Sequence, residues 1–184
     1  MEAEPGWLEY ATLGADYLGP IVAALFGYWI LRVTKRMESS QWRNQKLVEK
    51  RIETWDRIGP HISDIYCYCL RVGNWKQHRP SDIVACKREL DKLAHLSRPY
   101  FSTEFFSSYQ RFMESCFQMF QDHGTDARIR TEMWEHEIVH DEWTPEWAAM
   151  ISEESFDEHA VAGAYTNLLA AVRREINQET PGSA

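Results

Sequence analysis

Apolar and polar positions divide the chain into one greasy run near its start and a series of helical repeats after it. Tyr17 to Leu31 carries no charge. Extended through Ala11 to Val33, the run is long enough for a transmembrane helix, which needs about 20 apolar residues. Beyond it, Trp42, Val48, Ile52, Trp55, Ile58, Ile62, Ile65 and Cys69 recur at helical spacing with charges between them, which predicts a long amphipathic helix. Gly59 and Pro60 should kink or break it, because proline lacks a donor and crowds the preceding turn.

Later segments keep the same period. Pro80 and Ser81 open a helix carrying Ile83, Cys86, Leu90 and Leu93, which Arg98 and Pro99 end. Ser102 can cap the next, whose aromatic face runs from Phe105 to Phe120 before Gly124 closes it. Another helix is predicted from Asp126 to about His140. Thr144 with Pro145 restarts the chain, and a last helix runs from about Phe156 to Ile176. No alternating strand pattern competes. The expected fold is all-α: an N-terminal transmembrane helix followed by a cytosolic bundle of about four to six helices. The boundaries read as 1–11 outside the membrane, 12–33 spanning it, 34–178 as the cytosolic domain and 179–184 as a disordered tail.

Charge orients this scheme. Net charge is -8, yet residues 1–16 hold only acids whereas Arg32, Lys35, Arg36, Arg43 and Lys46 follow the greasy run. The positive-inside rule then places the N-terminus outside a bacterial inner membrane and the rest in the cytosol, with Asp16, Arg32, Lys35 and Arg36 flanking the lipid bilayer. Trp7, Tyr10, Tyr28 and Trp29 suit its interfaces. An acidic N-terminus is not a secretory signal. Ala15, Gly19, Ala23 and Gly27 recur every fourth residue, a spacing that lets helices approach closely and predicts a homo-oligomer. The main domain is acidic, which argues against nucleic acid as a partner. Four cysteines, none in a CxxC pair, are reduced thiols if that domain is cytosolic.

These residues suggest three chemistries. His136, Glu137 and His140 spell HEIVH: two imidazoles four apart on a helix can ligate zinc, with the glutamate as base, and the motif resembles that of zincin metallopeptidases. Glu153, Glu154, Asp157, Glu158 and His159 offer a third ligand. The charged neighbours Glu135, Asp141 and Glu142 favour a solvated helix face instead, so no cofactor is expected outside this alternative.

Arg88 with His95, and Arg130 with His136, match the loose Arg-spacer-His spacing of HEPN ribonucleases, without the polar residue that usually follows the arginine. One membrane helix joined to a small helical domain resembles in layout the HEPN-like membrane accessory proteins of bacterial antiviral, CRISPR-associated systems. That resemblance implies membrane assembly rather than hydrolysis, with Asn74, Trp75, Trp134, Trp143 and Trp147 as candidate surfaces for a protein partner. The leading expectation is a non-enzymatic, self-associating membrane effector or accessory protein; a tethered zinc hydrolase and a HEPN-like ribonuclease are the alternatives.

Overall fold

A computed structural model describes residues 7–119 and 126–177; of residues 7–19 and Ser39 it describes the backbone alone. Two compact units result, Met1–Lys46 and Leu47–Ala184. The closing glycine expected at Gly124 and the tail at 179–184 lie outside the described residues.

Helix α1, Trp7–Leu70, runs through the expected boundary at 33 and 34 and through Gly59 and Pro60 without a break. Proline removes one backbone donor, but Ile58, Ile62 and Ile65 around it are all buried. Each such side chain contributes about 1.5–3 kcal/mol, enough to hold the helix across the lost bond. Gly59 leaves room for the Trp55 ring, which an added Cβ would meet at 3.3 Å.

In the first unit, the large apolar side chains between Ile21 and Val33 are 38–64% exposed. At 100° per residue, the consecutive stretch from Tyr28 to Leu31 reaches every side of the helix. Among the described residues, however, no helix is long and apolar enough to cross a membrane. The uncharged run in the sequence, Tyr17 to Leu31, lies between Asp16 and Arg32 and makes only about 22 Å of helix at 1.5 Å per residue, against a hydrocarbon core of roughly 30 Å. The transmembrane helix over 12–33 is therefore corrected, and with it the single-pass inner-membrane placement and the membrane-flanking roles of Arg32, Lys35 and Arg36. Asp16 falls where side chains are not described.

The second unit packs α1 against α2 (Pro80–Leu96), α3 (Thr103–Cys116) and α6 (Glu158–Ile176). Ile62 and Cys69 of α1, Ile83 and Leu90 of α2, Phe105 and Phe112 of α3, and Val161 and Leu168 of α6 meet in one core. Ser102 caps α3 through the Phe105 amide at 3.3 Å, as its sequence position requires. Asp157 caps α6 on the amides of His159 and Ala160.

After α3 the chain departs from the helical reading. Phe117–Gln118 (β1) and Arg128–Ile129 (β2) pair antiparallel, and Ile129 bridges to Ile151. Two-residue strands cannot display a period of two, so the pattern that excluded strands had nothing to read. Burial drives the pairing, since Phe117 and Ile129 are both fully enclosed. The helix expected over 126–140 shrinks to α4, Met133–Val139, and α5 is the short Pro145–Ala149 behind its Thr144 cap.

Candidate functional site

The C-terminus of α1 organises the residues that carried chemical expectations. Val72 N bonds Cys67 O at 2.9 Å and Arg71 N bonds Tyr68 O at 3.3 Å, the paired closure of a Schellman motif. Its left-handed position is Arg71, with φ 55, where glycine usually stands. The guanidinium accounts for the exception: Nε lies 3.0 Å from Glu135, Nη2 pairs with Glu158, and the group covers the Phe156 ring. One side chain thus ties α1 to α4 and α6.

Glu135 brings α4 against this corner and drives His136 inward, where it is fully buried. The ring stacks on Tyr68 at 4.3 Å and meets Trp75 edge-on at 5.0 Å. Thr131 Oγ1 donates to the Cys69 carbonyl at 3.1 Å, so it accepts from His136 Nε2–H, 2.9 Å away. That assignment leaves Nδ1 as the unprotonated nitrogen, buried without a hydrogen-bond partner, as is the Tyr68 hydroxyl. Burial first, then the Arg71 and His140 charges, lower the imidazole pKa to about 4. Burial also raises the Tyr68 hydroxyl well above its ordinary range. At neutral pH His136 is an uncharged packing group whose donor is already engaged.

The HEIVH residues are accordingly split up. Glu137 is exposed while His136 faces the interior. Helix α4 ends at Val139, so His140 adopts φ -104 and ψ 110 and turns toward Trp143 and Trp147, at ring distances of 6.3 and 5.8 Å. Among the described residues no three His, Cys, Asp or Glu side chains converge as a metal would require. Arg130 pairs with Glu154 at 2.7 Å, and Arg88 with Asp126 at the surface, while His95 is exposed in the last turn of α2. Each arginine is thus engaged by a carboxylate.

No family model, no curated protein and no solved structure matches the chain. Surfaces and clusters of its own must therefore carry any functional reading.

Sequence spacing missed one cluster. His61 Nδ1 lies 3.3 Å from Cys86 Sγ, between α1 and α2. Burial, then the charge of Asp64, pushes the Cys86 thiol up to about 12, so at neutral pH it is a protonated thiol with the His61 ring and the His61 carbonyl, 3.6 Å away, as partners, and not a nucleophile. Twenty-five residues separate the pair, and no local motif announces it.

Of the expected partner surface, Trp75 is buried against His136, Asn74 bonds Asp64 and His78, and Trp143 and Trp147 are half-buried against each other at 5.9 Å. Trp134 alone of those tryptophans is exposed. In α1, Ala23 and Gly27 are exposed, and a Cβ on Gly27 would meet nothing within 4 Å. The side chain of Ala15 and the surroundings of Gly19 lie outside the described residues.

Proposed function

We propose that this is a non-enzymatic helical accessory or effector protein that self-associates through α1. The observation carrying the proposal is the exposed apolar stretch from Ile21 to Val33. Monomeric proteins rarely leave contiguous apolar surface beyond a few hundred Å² in water, and exposure on every side of one helix suits several neighbours rather than one. Ala23 and Gly27 support close approach, since interaxial distance follows the size of the side chains at the contact. Arg130 and Arg88, the arginines of the ribonuclease alternative, are engaged as ion-pair partners of Glu154 and Asp126.

Light scattering of the full chain in detergent-free buffer tests this. Wild type is expected to show a multiple of the single-chain mass. Gly27→Leu, which the isolated helix accommodates, and Ala23→Leu are expected to reduce it. A single-chain mass for wild type overturns self-association; an unchanged multiple in both variants overturns the stripe.

A further inference from the structure

Helix α4 presents apolar side chains on the side opposite the one it buries. Trp134 and Ile138, one turn apart, are 60% and 73% exposed, and Met133 beside them is 41% exposed. The inner side of the same helix is consumed by His136 in the core and Glu135 on Arg71. Those two attachments fix α4, so its outer face is held in place before anything binds.

The surroundings select the partner. Thr131 to Asp157 contains nine Asp and Glu and no Lys or Arg. Glu135 and Glu154 are paired with Arg71 and Arg130, and Asp157 caps α6. Glu137 remains exposed on the stripe of Trp134 and Ile138, with Asp141 and Glu142 exposed just beyond the helix end. An aromatic anchor beside an aliphatic one within a carboxylate rim fits a surface that is apolar at its centre and cationic at its edge.

We infer that this face docks a cationic amphipathic helix of a partner protein, apolar side chains seating on Trp134 and Ile138 and lysines or arginines meeting Glu137, Asp141 and Glu142. Nucleic acid and anionic lipid are repelled by the same carboxylates. Two copies joined face to face would oppose like charges. The inference uses residues distinct from the α1 stretch and stands or falls separately from self-association.

The test is titration of the full chain with a labelled synthetic peptide of about 18 residues, five helical turns, built from leucine and lysine at helical spacing. A glutamate counterpart and a scrambled lysine peptide serve as comparisons. The lysine helix is expected to bind and the glutamate helix not. Trp134→Ala and, independently, Ile138→Ser should weaken binding at least tenfold, with the circular dichroism spectrum and thermal midpoint retained because both side chains are exposed. Glu137→Gln should weaken it less and flatten its salt dependence. Absence of binding, equal binding of the scrambled peptide, or undiminished affinity in both apolar variants overturns the inference. A drop in self-associated mass in Trp134→Ala also overturns it, because the face is then covered by a second copy.

Discussion

Arg51 and Glu175, on α1 and α6, form an ion pair at 2.8 Å with their side chains only 9% and 3% exposed. Arg51 also donates to the backbone carbonyls of Tyr100 and Glu175, each at 2.6 Å, and Glu175 Oε1 accepts from the Ser102 amide at 2.9 Å. Three segments of the second unit, α1, α6 and the α2–α3 connection, are thereby tied at one buried point. Removing one partner strands the other charge away from water, which typically costs about 3–5 kcal/mol. Arg51→Met and Glu175→Gln are each expected to destabilise the protein on that scale in urea unfolding. The double variant should lose less than the sum of the two; strict additivity would mean the groups do not interact.

Stability should depend on the proton at His136. Above pH 6.5, the ordinary value, the ring is neutral folded and unfolded alike and makes no difference. Between that pH and about 4 the unfolded chain takes the proton while the buried ring does not, so this group lowers stability as pH falls, by about 3 kcal/mol across the window. Below it both forms are protonated and the loss levels off. Unfolding at pH 7 and pH 4.5 should show a larger drop for wild type than for His136→Phe; equal drops would refute the buried neutral imidazole.

Arg71 separates backbone strain from side-chain ties. Arg71→Ala retains the left-handed backbone and loses both glutamate contacts, whereas Arg71→Gly loses the contacts and relieves the strain. The alanine variant is expected to be the less stable of the two by about 1 kcal/mol. Equal thermal midpoints would show that the helix end relaxes away from φ 55.

Zinc should not depend on the HEIVH stretch. With Glu137 exposed and His136 bonded to Thr131, the metal content of purified protein is expected to be the same for wild type, Glu137→Gln and His140→Ala. Stoichiometric zinc in wild type that disappears in His140→Ala would reinstate the hydrolase.

Local rules carried much of the helical reading. Ser102 and Thr144 are short polar residues ahead of helix-forming runs, and both accept from amides three residues on. Ile58, Ile62 and Ile65 bury the stripe that their spacing defines. The HEIVH motif specifies which residues share a helix turn, not where the helix stops. Here α4 stops at Val139, and its inward side is chosen by Arg71 and Thr131. The apolar run near the start was legible as apolar, but its span depended on which residues extend it, and between Asp16 and Arg32 it is too short for a bilayer core.

What the sequence alone determined is the helical period, two of the caps, the acidic composition from Thr131 to Asp157 and the location of the greasy stretch, because each follows from neighbours within a few residues. Tertiary structure decided which histidine is buried, which arginine is paired, and that Phe117 lies against Ile129, because those choices depend on groups brought together from distant parts of the chain. His136 is buried against Tyr68 and linked through Thr131 to the Cys69 carbonyl, more than sixty residues earlier. Trp134, two residues away in the chain, is left in water.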